Sequence, residues 1–405
     1  MRTPKEAVSI ILERSTAQLE IEPCVLREAV GRVLGEAVDS DIDLPPFEKS
    51  AMDGFAVHRS DFKGLQSGSE LRLKQLGESR AGEPFDGPIG HGECVAIYTG
   101  AELPADCDAV VMVEKSRQDG DFVFLADDPA DRQHVCARGE DLRKGQEVLA
   151  AGRRLTPAMV SVLASVGCEP VPVVRRPRMA ILTSGDELIE PTQYPGPGQI
   201  RESNVLHIAA LARAAGADVV RAGVVRDNLE GLIEAFRSAL EECDVLVTTG
   251  GVSMGKYDLV GEALEAVGVE KVFHKVAIKP GKPVWFGVAG ETLVFGLPGN
   301  PVSCWVGHEV FVQPAIAKLS GLREEEWIAP LRKGRWVGSN TRLNDRQQNL
   351  PVTVVQGMDG VDELATVRWK SSADLVGLSR AEGLVVVPPG ESLTAGDIAY
   401  FRLLG

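Results

Sequence analysis

Paired cysteines are missing from this chain. Its seven cysteines, Cys24, Cys94, Cys107, Cys136, Cys168, Cys243 and Cys304, are scattered without a CxxC pair. That pattern excludes a disulfide framework or a cysteine zinc site and fits reduced thiols in a cytosolic setting. Net positive charge is missing as well: 43 Lys and Arg stand against 58 Asp and Glu, a formal charge of −15. General binding to nucleic acid or to an anionic membrane needs a basic face, so neither is expected. No apolar run approaches the roughly 20 residues that span a bilayer. The opening MRTPKEAVSIILERS is amphipathic and lacks the uninterrupted apolar core of a signal peptide. The six histidines show no metal-ligand spacing, and no Ser/His/Asp or Cys/His constellation points to a nucleophilic hydrolase. Repeats and low-complexity tracts are absent. A soluble cytoplasmic protein is expected.

What is present is a chain of 405 residues, 44% hydrophobic and 25% charged, enough for two to four domains with real cores. Thr3-Pro4-Lys5-Glu6 reads as a capping box opening a first helix. The run CVLREAVGRVLGEAV predicts a second helix, ahead of the extended DIDLPPFEKS. From there to about Lys144, short strand-like runs (CVAIYTG, AVVMVEKS, FVFLA) alternate with Gly, Pro and Asp turns, as in a small all-β domain. TPAMVSVLASVG predicts a helix with Thr156 as cap, Pro157 at its start and Gly167 as its stop. The β segment therefore reads as an insertion into a helical linker domain. Beyond Arg175-Arg176-Pro177 the pattern turns to MAILTSG, SNVLHIAALARAAG, DVVRAGVV, NLEGLIEAFRSALEE and DVLVTTGG, a βαβαβ order that implies a parallel sheet with helices on both faces. A helix from Val302 to about Leu319, kinked at Pro314, closes that domain. From about Pro330 the runs LPVTVVQG, ELATVRWK, GLVVVPPG and IAYFRLLG predict a compact β barrel or sheet. The expected architecture is α/β plus β and multidomain: 1–45 with 145–177 as helical linker, 46–144 as inserted β domain, 178–329 as α/β domain and 330–405 as β-barrel.

The chemistry concentrates between Cys243 and Ser303, where three Gly/Pro loops follow apolar strands: VLVTTGGVSMGKYD, KVAIKPGKPVWFG and LVFGLPGNPVS. Ligands of parallel α/β sheets gather beyond the carboxyl ends of the strands, where glycine admits close backbone approach and helix N-termini favour anions. In the first loop Gly250-Gly251 permits a tight turn, with Ser253 and Asp258 facing its mouth; an ordinary capped strand-to-helix turn is the alternative. In the second, Lys275, Lys279 and Lys282 supply compact point charges suited to an oxyanion, and Lys275 and Lys279 share a face if Val276–Ile278 is strand. The alternative is a solvated lysine cluster. In the third, Asn300 reads as the cap and Pro301 as the first turn of a helix whose free N–H groups form an anion cradle; a stiff connection is the alternative. Asp186 and Glu187 in TSGDEL, Asp227 after GVVR, and Asp258 end three strands that a parallel sheet brings together. Each alone is most simply a helix cap; as a set they make a Mg²⁺ site of hard oxygen donors. Asp53-Gly54 in SAMDGFAV and Thr99-Gly100 each read as a hairpin turn, and RGEDL (138–142) reads as a salt-bridged turn.

Taken in order, PPFEKSAMDGFAV, YTGAELPADCDAVV, RGEDL, LTSGDEL, VVRDN, TTGGVSMGKYD, AIKPGKP and GLPGNPVS resemble the molybdopterin molybdenumtransferase family across nearly the whole chain. The resemblance implies the four domains above and a homodimer whose active site lies between the α/β domain of one subunit and the inserted domain of the other. It implies adenylylated molybdopterin and molybdate as substrates and Mg²⁺ as cofactor, with AMP released and molybdenum left on the dithiolene sulfurs. Position by position, Asp53 and Thr99 match inserted-domain residues reaching the partner's site. Glu187, Asp227 and Asp258 match acids around metal and phosphates, with Glu187 and Asp258 also in catalytic roles. Ser253, with Gly250 and Gly251, matches the loop on the pterin nucleotide. Lys275, Lys279 and Lys282 match the site's basic residues, the last two near molybdate, and Pro298, Asn300 and Pro301 match its third loop. Arg346 and Ser372 resemble positions linked with molybdate, while Ser371 stands where glycine is usual and Pro351 where many members have arginine. Other enzymes of cofactor biosynthesis or acceptor enzymes are further expected partners. Gephyrin-like scaffolds share this architecture but carry an additional pterin-binding domain on the same chain, and this chain opens directly on the helical segment. An adenylyltransferase resembles the α/β part alone, and the inserted β domain with SAMDGFA argues against that reading.

Overall fold

A computed structural model describes residues 1–66, 69–126, 128–251, 259–368 and 370–404. The chain forms two compact units. One comprises residues 1–36, 151–156 and 170–405; the other comprises 37–150 and 157–169.

In the larger unit the sheet at the centre runs, in order across it, Asp218–Val225, Arg178–Ser184, Val245–Thr249, Thr292–Leu297, Trp285–Ala289 and Glu270–His274. The first four strands are parallel and the last two pair antiparallel. The sheet is thus mixed where the sequence predicts parallel strands, because Gly290 (φ +59°) turns Trp285–Ala289 straight back into Thr292–Leu297 as a hairpin. Two reversals leave Glu270–His274 running the same way as the parallel four, so its carboxyl end opens on the same edge as theirs.

Both faces are covered. Met179, Ile181, Val245, Val247, Phe295 and Leu297 point to one side, against the helices Pro4–Arg14, Asn204–Ala215 and Pro301–Leu319. Ala180, Leu182, Leu246 and Val294 point to the other, against Leu229–Leu240 and Leu259–Ala266. Strands buried on both faces carry continuous apolar runs, and each fully buried Leu or Phe stabilises the layer by about 2 kcal/mol. The helix ends follow the chemistry of their residues, the first of them as the capping box predicts. Thr3 and Glu6 form a reciprocal capping box, Asn228 accepts the N–H of Gly231 at 2.8 Å, and Gly216 closes its helix at φ +100°. Helix 301–319 contains a wider π turn at His308–Val312, just before Pro314. The extra room of that turn, rather than proline alone, interrupts the helix.

Five strands, Gln347–Gln356, Asp362–Thr366, Arg332–Trp336, Ile398–Leu403 and Gly383–Val387, close on themselves as a barrel, since the first and last also pair. Trp336, Leu364, Val385 and Phe401 fill it. The short strand Ile278–Lys279 adds to its outside in parallel with Gln347–Gln348.

One element differs plainly from its sequence signal. CVLREAVGRVLGEAV is no α-helix: Ile21–Cys24, a single 3₁₀ turn at Leu26–Glu28 and Val33–Leu34 lie instead beside Val171–Val174 in a three-stranded sheet. Gly31 (φ +80°) breaks the run, and Val33 and Leu34 are both buried, as strand pairing requires and a single helical stripe does not.

The smaller unit is built on a six-stranded sheet in the order Ala109–Met112, Gly54–Val57, Glu93–Ile97, Leu71–Ser79, Phe122–Leu125 and Ser116–Asp119. Gly54–Val57 is buried throughout, with Phe55 and Val57 packed into one cluster and Ala56 into another. The helix Pro157–Ser165 belongs to this unit and stops at Val166 before Gly167 (φ +70°). Its Leu163 is fully buried. All seven cysteines are free thiols, and burial pushes Cys94, Cys107 and Cys243 up to about 12. Among the described residues, no helix is long and apolar enough to cross a membrane.

Candidate functional site

The strand order places a crevice. Arg178–Ser184 leads through helix 204–215 on one face to its neighbour Asp218–Val225. The chain then returns through helix 229–240 on the opposite face to Val245–Thr249, on the other side of Arg178–Ser184. The switch falls between Arg178–Ser184 and Val245–Thr249, where open α/β sheets bind ligands at their carboxyl edge.

Three loops meet there at backbone distance. A Cβ on Gly250 (φ +82°) would lie 2.9 Å from the Ser184 carbonyl oxygen, one on Gly251 (φ +62°) would lie 2.4 Å from Val260 Cγ2, and one on Gly299 would lie 3.4 Å from Gly250 Cα. Glycine at Gly250 and Gly251 is thus demanded by both conformation and space. The loops are also stitched together. Gly250 N–H donates to Leu297 O at 3.1 Å. Thr183 Oγ1 donates to Thr249 O at 3.0 Å and receives Thr249 Oγ1 at 2.9 Å. Asn204 Nδ2 donates to Gly299 O at 2.7 Å.

The crevice opens as a cleft of about 740 Å³. Of the residues singled out in the sequence, Glu187, Asp227, Gly250, Gly251, Pro298, Asn300 and Pro301 all line it. Asp227 is oriented by Ser184, whose Oγ donates to its Oδ1 at 2.5 Å. Glu187 folds over Gly185, its Oε2 lying 2.6 Å from where a Cβ would be. Asp186 is exposed and does not line the cleft. Ser253 and Asp258 lie outside the described residues.

Asn300 takes the N-cap position before Pro301, yet its side chain makes no capping bond. Its Nδ2 donates instead to Ser372 Oγ at 2.9 Å, while Val302 N–H donates to Ser372 O at 2.9 Å. The expected cap is therefore a tie from the helix start to the Ser371–Asp374 segment, which brings Ser372 to the cleft's rim.

The lysine loop is arranged differently from the sequence expectation. The strand is only Ile278–Lys279, and Lys275 sits at φ +72°, so Lys275 and Lys279 are not alternate residues of one extended run. The loop is held by Lys275 N–H to Val284 O at 2.9 Å, Val276 N–H to Lys282 O at 3.0 Å and Ala277 N–H to Arg2 O at 2.8 Å. Arg346 Nη1 donates to Ile278 O at 3.3 Å. Lys279 and Lys282 are exposed, and none of the three ammonium groups has a carboxylate partner within 4.0 Å among the described residues. They stand on the same sheet edge as the cleft but are not part of its lining, which the loop reaches through Pro283.

Asp53 and Thr99 lie in the smaller unit. Asp53 Oδ1 accepts Thr99 N–H at 2.7 Å and Thr99 Oγ1 at 2.8 Å. The backbone bond, then the hydroxyl, holds the Asp53 carboxyl below its ordinary range. Thr99-Gly100 is a turn, with Gly100 at φ +81°. Asp53-Gly54 is not a hairpin: Gly54 opens a central strand, where a Cβ would lie 2.0 Å from Val111 O. RGEDL is a turn clipped by Arg138 Nε and the Lys144 N–H to the two oxygens of Asp43, at 2.7 and 2.9 Å.

Sequence reasoning missed Ser184, Asn204 and Glu202. Glu202 is 7% exposed, and its Oε1 accepts the Val205 N–H at 2.7 Å, serving the helix that Ser203 leaves uncapped. Burial raises its pKa against the N–H bonds that oppose the shift. A Glu two residues ahead of a helix was the available signal.

Glu187 and Asp227 suit a hard cation such as Mg²⁺, which takes one or two carboxylates together with substrate phosphates. Among the described residues, no group of three or more His, Cys, Asp or Glu is placed to hold a metal ion by itself.

Residues 2–167 match the model of the MoeA N-terminal region (domain I and II), and residues 180–318 match that of a probable molybdopterin binding domain. A molybdopterin molybdenumtransferase from Nostoc sp. is 34% identical over 403 residues, covering 97% of this chain and 91% of the relative. One from Haemophilus influenzae is 38% identical over 332 residues, covering 82% and 80%. The crystal structure of a molybdopterin biosynthesis MoeA protein from Pyrococcus horikoshii OT3 superimposes with a TM-score of 0.85 at 27% identity, over 100% of both chains. The chain belongs to the molybdopterin molybdenumtransferase family.

Proposed function

We propose that this chain is a transferase of molybdenum cofactor biosynthesis, working in the cytoplasm. It passes molybdenum from molybdate to adenylylated molybdopterin and releases AMP. One observation carries the reading: glycine and proline loops from neighbouring strand ends converge on a single cleft with two carboxylates, beside a loop of lysines that have no carboxylate partner among the described residues. The activity for which the relatives are named agrees with that chemistry.

In this reading the Gly250-Gly251 and Pro298–Pro301 loops hold the pyrophosphate and pterin, because backbone N–H groups at glycine turns and a helix start bind anions without needing charge. Ser253 and Asp258 complete the first of those loops. Lys275, Lys279 and Lys282, with Arg346 and Ser372 nearby, attract and neutralise the doubly charged oxometalate. Glu187, Asp227 and Asp258 hold Mg²⁺, which when bound neutralises charge on the phosphate oxygens. Ser184 keeps one Asp227 oxygen occupied and so fixes the direction of the other. Asp53 and Thr99, a preformed hydrogen-bonded pair, reach the cleft of a second copy in a homodimer. The four-domain division into 1–45 with 145–177, 46–144, 178–329 and 330–405 belongs to the same proposal.

The test is AMP release from adenylylated molybdopterin with Mg²⁺, with and without molybdate. Release should depend on molybdate, and equal release without any oxometalate overturns the assignment. Lys279→Ala should lower the rate by about 100-fold, the cost typical of one lost electrostatic contact to developing charge, with an unchanged circular dichroism spectrum. Asp53→Ala and Lys279→Ala, each strongly impaired alone, should recover part of the activity when mixed. No recovery removes the shared dimeric site and leaves the chemistry standing.

A further inference from the structure

A second cavity, of about 580 Å³, lies in the larger unit between the helix 204–215, the π turn at His308–Val312 and the last barrel strand. It touches the cleft described above only through Leu375, which lines both. The proposed reaction does not use its residues.

Its polar wall is unusual. His308 is 1% exposed, and Glu309 is 9% exposed. Both ring nitrogens of His308 and the Nε of Arg402 are buried without a hydrogen-bond partner among the described residues. Arg402 Nη1 donates to the Glu309 carbonyl oxygen at 2.9 Å, and Glu309 Oε1 stands 3.5 Å from His308 Nδ1. Buried donors and acceptors are normally satisfied, because leaving them unmade is costly. Three unmade sites on neighbouring residues, at a π turn, are the pattern of a wall that completes its hydrogen bonds with something from outside the chain.

The charges narrow the choice. The Arg402 guanidinium and the Glu309 carboxylate offset one another, which disfavours an ion of either sign. His207, on the facing helix, is held below its ordinary pKa by burial first and by His308 next, so it adds a neutral imidazole. No metal-holding group of three His, Cys, Asp or Glu occurs among the described residues. What the wall offers is mixed: N–H donors from Arg402, an acceptor carboxylate from Glu309 and the imidazole of His308. The remaining wall is apolar, with Trp305, Leu211 and Leu378 supplying ring and aliphatic surface. A pocket of this size with few convergent polar groups accommodates a small ring system.

We propose that this cavity binds a neutral planar heterocycle with a lactam edge, a carbonyl beside an N–H, as in an oxopurine. The carbonyl accepts from Arg402, the ring N–H donates to Glu309, and the ring packs against Trp305.

Hypoxanthine, titrated calorimetrically into the full chain, is the probe. One saturable site is expected, with 1-methylhypoxanthine, which lacks that N–H, about tenfold weaker. Glu309→Gln, which keeps the volume, should weaken binding by about tenfold. Ala214→Trp, at an exposed position on the cavity wall, should abolish binding while leaving the melting temperature unchanged. It decides the matter even if Glu309→Gln fails to fold. Asp227→Asn, in the other cleft, should leave binding intact. No saturable heat, equal affinity for the methylated base, tighter binding of benzoate, or binding that survives Ala214→Trp each overturn the proposal.

Discussion

At the scale of single residues, the molecule is most constrained where backbone touches backbone. Gly54 is the extreme case. Its motif, SAMDGFAV, looks like a turn, but glycine is there because the neighbouring strand's Val111 carbonyl occupies the space of a side chain. Gly54→Ala must push this strand away from the edge strand Ala109–Met112, and about 3 kcal/mol of stability should be lost, the upper range for overpacking. Urea unfolding of wild type and variant measures it; a loss below about 1 kcal/mol would mean that the sheet yields more easily than this close approach implies. Gly250 differs in kind, since its φ of +82° alone favours glycine, and the Ser184 oxygen adds a second reason. The sequence carries the letter G in both places and cannot distinguish the two causes.

At the scale of elements, end chemistry was easy to read. Thr3 and Glu6 satisfy each other's backbone N–H groups, at 3.3 and 2.8 Å. Thr3→Ala should therefore cost about 1 kcal/mol in urea unfolding, with Thr3→Asp close to wild type. The helices at 204–215 and 229–240 and the strands at 178–184, 218–225 and 245–249 were legible because their periods are long and Gly216 and Asn228 mark a helix stop and a helix start. Residues 24–38 were not. Val25, Leu26, Val30, Val33 and Leu34 repeat at helical spacing, but Leu34 pairs with Val173 in the sheet, and that partner, 139 positions away, is invisible locally. The lysine loop failed for a related reason. Val276–Ile278 looks like a strand of the α/β sheet, yet its one regular pairing is made with the barrel. The candidate cleft was legible as loops ending strands; Ser184 and Asn204 were not, since their roles depend on which loops become neighbours.

At the scale of the whole molecule, charge pairing links distant segments of the larger unit. Arg175 bonds both oxygens of Asp244, at 2.7 and 2.9 Å, and also pairs with Glu20. Arg178 N–H adds a further bond to Asp244 at 2.7 Å. Burial pushes the Asp244 pKa up, but the Arg175 pair and the Arg178 N–H outweigh it and leave the carboxyl below its ordinary value. A folded-state pKa below the unfolded one contributes stability that is present above the unfolded pKa, about 3.9, and is lost as pH falls through the folded one. Asp244→Asn should thus cost about 3 kcal/mol at pH 7, the cost of removing one partner from a largely buried pair. The gap between variant and wild type should close below about pH 4. Unfolding midpoints measured across that range test the sign; a gap that widens in acid contradicts it.

Ile278–Lys279 is fastened to Gln347–Gln348 of the barrel, and Arg346 grips the Ile278 carbonyl. The cationic arm is therefore a possession of two folds at once, steered from a strand that follows it by some 70 positions. Hybrids that exchange the terminal barrel with a relative's must carry a compatible rail opposite Ile278–Lys279, or the lysines will drift even though none of them was altered.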